Sequence, residues 1–193
     1  MTMKNTMIGK NTLIISFLLA ISVCVSAQNQ GWKHIDSEYY SLDIPESWEP
    51  YLNDMDGVTL SKRTVDGITY SVLAWKNKYQ TFDEYECVQI ESVERANGEN
   101  LSLKEGKKLI YDKDRPRTKT YFKSENEICF KSVFESKDMF GNPLSMTALY
   151  YYKYDGKRYH EIYCASRTAR FKTEKDLEER YLRIIRSFKL KTE

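Results

Sequence analysis

The tyrosine-rich stretch 145–165 constrains the fold of this chain more than any other. Residues 145–154 run Ser145-Met146-Thr147-Ala148-Leu149-Tyr150-Tyr151-Tyr152-Lys153-Tyr154. Asp155-Gly156 follows, and a second run of strand-forming residues covers 158–165. Aromatic and β-branched side chains suit a pleated surface, and an Asp-Gly pair between two such runs marks a hairpin because glycine accepts positive φ. A two-residue turn sets Tyr154 against Lys157, Tyr152 against Tyr159, Tyr151 against His160, Leu149 against Ile162 and Thr147 against Cys164. Tyr150 and Tyr152 then share one face and Tyr151 takes the other. Large aromatics on both faces predict a sheet covered, at least partly, on both sides.

The same logic gives a second hairpin, with 58–63 and 68–75 joined at Asp66-Gly67. Alternation of Tyr40, Leu42 and Ile44 predicts a strand closed by Pro45, which has no N–H for a ladder. Further strands are read over 108–112, 119–123 and 128–135. One helix is predicted from Thr81, where Thr81-Phe82-Asp83-Glu84 has the form of a capping box. Phe82, Tyr85, Val88 and Val93 form its stripe, and Asn97-Gly98 its stop. A last helix is expected to open at Thr173, with Asp176 as the box acid. It carries Leu177, Tyr181, Ile184, Ile185 and Phe188 on one face.

Residues 1–27 have the charge, apolar run and small-residue end of a secretory signal peptide, with Val25-Ser26-Ala27 before Gln28. The expected mature chain is a single domain over 28–193, exported to the periplasm or medium, with no transmembrane segment after cleavage. Processing as a lipoprotein at Cys24 is the alternative, against which Val23 stands in place of a small residue. Losing Lys4 and Lys10 leaves 28 basic residues against 28 acidic, which argues against nucleic acid as a partner. Cys87, Cys129 and Cys164 are odd in number and match no metal spacing, so buried thiols are expected. Strand order places Cys129 near Tyr151, a whole strand away from Cys164, and predicts no bond between them.

The segment Tyr40-Ser41-Leu42-Asp43-Ile44-Pro45-Glu46-Ser47-Trp48 resembles the opening of PsbP-like domains. Ile184-Ile185-Arg186-Ser187-Phe188-Lys189 resembles their closing helix and Ser-Phe pair. That group includes a lumenal photosystem II subunit and exported bacterial domains of unknown function. The resemblance implies an α+β fold, an antiparallel sheet sandwiched between helices (an α/β/α sandwich). Its members mostly bind or help assemble other proteins, which implies a non-enzymatic binding or assembly factor acting on another cell-envelope protein. No binding residue of the family is carried over.

Candidate chemistry is sparse. His34 and His160 are the two imidazoles and sit in no ligand spacing. Nucleophile-elbow, phosphate-loop and dinucleotide motifs are missing. Serines and acids are plentiful, but sequence alone brings no three of them together. No catalytic residue, metal or cofactor is assigned. Two features suit recognition. The basic segment 104–123 offers Lys108, Arg115, Arg117 and Lys119 as partner contacts, and the final hairpin offers Tyr150, Tyr152 and Tyr159. The plainer readings are a solvated loop and ordinary sheet packing. A small-molecule or glycan binder using the aromatic sheet face is the alternative function, and an envelope hydrolase the third. An aromatic-lined concave pocket would favour the small molecule. A flat apolar patch with a charged rim would favour the protein partner.

Overall fold

In the computed structural model, residues 31–50, 60–78, 84–137 and 141–191 are described. Among them lie eleven strands and three helices. In chain order these are β1 (Trp32–Asp36), β2 (Tyr40–Pro45), β3 (Glu49–Pro50), β4 (Leu60–Val65), β5 (Ile68–Lys76) and β6 (Glu86–Arg95). Then come α1 (Leu103–Ile110), β7 (Lys119–Lys123), β8 (Glu127–Lys137), β9 (Pro143–Tyr154), β10 (Tyr159–Arg167), α2 (Thr168–Thr173), α3 (Leu177–Ser187) and β11 (Lys189–Leu190). The large sheet has eight strands in the order β3-β5-β6-β10-β9-β8-β7, with β4 also on β5; a small sheet has the order β1-β2-β11. All the pairings are antiparallel.

The expected sandwich of a sheet between helices is not what forms. Of the described residues 53% are strand and 18% helix. The layer over one face of the large sheet is itself partly a sheet. There β2, with α3, packs Leu42, Ile44, Leu177, Tyr181, Ile184 and Ile185 against Val88, Ile90, Ile162 and Leu149. The opposite face carries Phe130, Tyr150, Tyr152 and Tyr159 under α1 and the segment after it, through Leu103, Leu109, Ile110 and Tyr111. The two segments that resemble PsbP-like domains adjoin one another. Lys189 pairs with Ser41, and the Ser187 hydroxyl accepts from the Asp43 amide at 2.8 Å.

The central hairpin forms, but two residues out of the expected register. Tyr159 faces Tyr154, His160 faces Lys153, Ile162 faces Tyr151 and Cys164 faces Leu149. The Asp155 carboxylate is the cause. One of its oxygens accepts from the amides of Lys157 (2.8 Å) and Arg158 (2.6 Å), which builds a four-residue loop instead of a two-residue turn. A shift of two preserves the faces, so the predicted sidedness of the tyrosines holds. The Asp66-Gly67 turn is as expected: Val65 faces Ile68, with φ of 50° and 75° at the two turn residues. Cys129 does face Tyr151, and Cys87, Cys129 and Cys164 are all buried and free.

Three elements differ from expectation. Residues 86–95 form β6, not the body of a helix begun at Thr81; residues 81–83 themselves lie outside the described residues. As a central strand covered on both faces, β6 has apolar side chains at both parities, and Tyr85, Val88 and Val93 thereby imitate helical spacing. The strand read over 108–112 is instead the end of α1. Ser102 caps that helix, with its hydroxyl accepting from the Glu105 amide while the Glu105 carboxylate accepts from the Ser102 amide. The last helix opens at Leu177 with Asp176 before it, and Thr173 ends the separate short α2.

Helix α1 sits so close to β10 that only a glycine fits between. A Cβ on Gly106 would lie 2.6 Å from Cβ of Tyr159. Gly106→Ala gains helix propensity of ~1 kcal/mol but must push the helix off the sheet. A net loss of up to ~2 kcal/mol is expected, from an overpacking cost of ~1–3 kcal/mol less that gain. Urea denaturation checks this: a lowered midpoint with unchanged slope is the expected result, and a raised midpoint would show that α1 is not pinned there.

Candidate functional site

The strand register builds a feature that no local motif announces. On the face that carries β2 and α3, Lys62 faces Ser71, Ser71 faces Ser92, Ser92 faces His160, His160 faces Lys153 and Lys153 faces Glu127. Cross-strand partners share a face, so this is one polar row across six strands. Two residues along, the next row on that face is apolar: Leu73, Ile90, Ile162, Tyr151, Cys129 and Phe122. The polar row therefore borders the core.

His160 lies at the centre of the row and is 0% exposed. Its ring is edge-on to Tyr40 at 6.2 Å and tilted against Phe188 at 5.9 Å. Both nitrogens have partners. Nδ1 is 2.8 Å from the Ser92 hydroxyl and Nε2 is 3.3 Å from Oδ2 of Asp155. The same Oδ2 accepts from Nε of Arg158 at 2.9 Å. Burial works to raise the Asp155 pKa, but the bonds from His160 and from the Arg158 and Lys157 amides outweigh it and hold the carboxyl well below the usual range.

Ser92 opens onto a cleft of about 320 Å³. One wall is the end of β1 and the turn into β2, including Ile35, Glu38, Tyr39 and Tyr40; the floor is Ser71, Leu73, Trp75 and Ser92, with Lys62 at the rim. The wall is braced. The Ser37 amide and hydroxyl both donate to the Tyr40 carbonyl, at 2.9 and 2.8 Å. Tyr39 donates to Glu94 at 3.1 Å, and the Arg158 guanidinium lies 4.3 Å from the centre of the Tyr39 ring. Burial first, and then Glu94, push the Tyr39 phenol up, so it stays neutral.

A Ser–His–Asp chain invites comparison with nucleophilic hydrolases. Here Ser92 is the middle of a strand paired on both sides, by β5 and by β10. The amides around it are committed to those ladders and offer no oxyanion hole. What the arrangement supplies is a hydrogen-bonding group of defined orientation in an aromatic-walled cleft.

The residues expected to meet a partner fall elsewhere. Tyr150, Tyr152 and Tyr159 are buried on the opposite face and pack on one another, with Tyr150 and Tyr152 stacked at 6.4 Å and Tyr152 and Tyr159 at 6.0 Å. Arg115 joins them: its guanidinium lies 3.9 Å from the Tyr150 ring centre, donates to the Tyr152 hydroxyl at 3.1 Å and sits 3.7 Å from Glu161. Arg117 donates to the Tyr111 hydroxyl and lies 5.0 Å from the Phe130 ring centre. Lys119 is engaged on the other face, 2.7 Å from Glu178 of α3, and Lys108 is exposed on α1. The basic segment is thus divided between two faces, and both arginines are engaged in internal contacts. His34 makes an exposed pair with Asp43 at 2.8 Å, away from the cleft. Asp155 reads from the sequence as a turn residue and not as a site residue, and Ser71, Trp75 and Ser92 belong to no candidate site there. The signal that joins Ser92 to His160 is the register of β6 on β10, which a helix reading of 86–95 conceals.

No family model matches the chain, and no curated protein matches it. Among solved structures it is similar to a protein of Bacteroides thetaiotaomicron VPI-5482, at 13% identity and a TM-score of 0.48. The similarity covers 86% of this chain and 50% of that one, so the chain spans about half the length of that protein.

Among the described residues no helix is long and apolar enough to cross a membrane, and no group of three or more His, Cys, Asp or Glu side chains is placed to hold a metal. The leader 1–27, with Cys24, lies outside the described residues.

Proposed function

We propose that this protein is an exported, non-catalytic binder of a small organic molecule, held between Tyr39 and the Leu73–Trp75 floor. The observation that carries this reading is the concave cleft of about 320 Å³, walled by aromatic and aliphatic side chains and supplied with a few polar groups. Small-molecule sites have that form. A protein-assembly role would be favoured by a flat apolar patch, but among the described residues the one large exposed hydrophobic side chain is Val65, at 49%. The binding face is therefore the one under β2 and not the tyrosine face, whose aromatic surface is taken up by packing. Kinship with PsbP-like domains stays a proposal resting on the two adjoining motif segments, and export rests on the leader.

The test is a titration with small aromatic compounds, indole first, followed by backbone and indole NMR resonances. Saturable shifts at Ser71, Leu73, Trp75 and Ser92 are expected. Ser71→Phe, which fills the floor, should abolish them while leaving the remaining spectrum folded. Shifts confined to other regions, or none across the panel, would reject the reading.

A further inference from the structure

We infer that the cleft selects ligands presenting an O–H or N–H donor, because Asp155, acting through His160, turns Ser92 into a hydrogen-bond acceptor. This inference rests on the binding role proposed above and names the chemistry of its ligand. The Asp155 carboxylate receives two backbone amides on Oδ1, and on Oδ2 it receives Arg158 Nε at 2.9 Å. An ionised carboxylate accepts and cannot donate. His160 Nε2, 3.3 Å from that Oδ2, must then carry the hydrogen. In the neutral ring the other nitrogen is bare and accepts. Ser92 Oγ, 2.8 Å from Nδ1, gives its one hydrogen to the ring. Only its lone pairs are left for the cleft.

The neighbours complete the pattern. Ser71 is the cross-strand partner of Ser92 and also lines the cleft, with Lys62 beyond it at the rim. A hydroxyl on the ligand can donate to Ser92 and accept from Ser71 or Lys62. An N–H donor satisfies Ser92 alone. The class is therefore a compact aromatic or apolar molecule carrying an O–H or N–H donor, such as a phenol or an indole. A ligand without the donor leaves Ser92 desolvated and unpaired, which is the costly case.

Asp155→Asn makes a sharp test because the backbone fixes which way the amide points. Lys157 and Arg158 amides both donate to Oδ1, so the asparagine oxygen stays there and its NH₂ faces His160, while Arg158 Nε, which donates to Oδ2 in the native protein, loses that acceptor. Nε2 then becomes the acceptor, Nδ1 carries the hydrogen, and Ser92 is freed to donate into the cleft. Two measurements follow. In a ¹H–¹⁵N spectrum of the imidazole at neutral pH, the native protein should show a protonated Nε2 and a bare Nδ1, and Asp155→Asn the reverse. In titrations, the native protein should bind indole about fivefold to tenfold more tightly than benzofuran, its near-isostere without the N–H. The ratio should fall to about one in Ser92→Ala and to one or below in Asp155→Asn. Ser92→Ala removes a single oxygen and carries the test should Asp155→Asn fail to fold. A protonated Nδ1 in the native protein overturns the inference. So does equal binding of the two compounds, or a preference that survives in Ser92→Ala. Binding of neither compound rejects the binding role itself, and this inference with it.

Discussion

Glu86→Ala is expected to destabilise the protein by ~3–5 kcal/mol. Glu86 opens β6, is 2% exposed, and is gripped from two directions. Arg170 of α2 reaches it at 2.7 Å, and Arg180 of α3 reaches both carboxylate oxygens at 2.9 Å. The pairs tie two helices to the first residue of a central strand. Replacing the whole cluster by apolar groups could be neutral. Deleting only the anion takes their buried counter-charge from two largely buried guanidiniums, leaving each with more exposed carboxylates alone, Glu174 for Arg170 and Asp176 for Arg180, and that is what makes the loss large. Arg170 retains Glu174 at 2.7 Å, so α2 should stay folded locally while its docking weakens. Equilibrium urea unfolding of the variant is the check; a loss below ~1 kcal/mol would place this cluster among ordinary surface pairs.

Tyr181→Ala is expected to cost a similar ~3–5 kcal/mol, for a different reason. Tyr181 is 0% exposed at the centre of the helix-covered face, and its ring is edge-on to Phe171 at 5.5 Å. Truncation leaves a cavity between rigid layers that cannot close over it. The hydroxyl contributes separately by donating to the Ala165 carbonyl at 2.8 Å. Tyr181→Phe removes that bond alone, and ~1 kcal/mol is expected. Thermal or urea unfolding of the two variants separates the parts. Similar losses in both would mean that the hydrogen bond, not the ring, holds α3 in place.

Much of the scaffold is legible because it is written locally. The alternation of Tyr40, Leu42 and Ile44 with Pro45 after it gives β2. Asp66-Gly67 gives the β4–β5 turn, and the stripe Leu177, Tyr181, Ile184, Ile185 gives the buried face of α3. Local signals misled where two physical causes produce one pattern. A strand buried on both faces and an amphipathic helix both place apolar residues three apart, and β6 is the strand where the local pattern reads as the helix. Asp155-Gly156 has the letters of a two-residue turn, yet the Asp155 side chain can gather two amides and lengthen the loop. Ser102 and Glu105 carry a capping box, but the apolar residues after it also fit a strand.

The candidate site was hidden for a stronger reason. Ser92 and His160 are 68 residues apart and become neighbours only through the pairing of β6 with β10. An error in the class of either element moves the serine away from the imidazole, and neither residue belongs to a motif that would draw attention to it. The features that did stand out, the basic segment and the tyrosine hairpin, stand out because packing a wide sheet needs aromatic rings, and those rings attract arginines: Arg115 over Tyr150 and Arg117 over Phe130.

The most direct test of the account is a crystal structure of the protein determined with indole at saturating concentration. The account predicts indole density between Tyr39 and Trp75, with its N–H directed at Ser92 Oγ and the Ser92–His160–Asp155 chain unchanged. Indole bound on the tyrosine face or elsewhere, with the cleft empty, would contradict it.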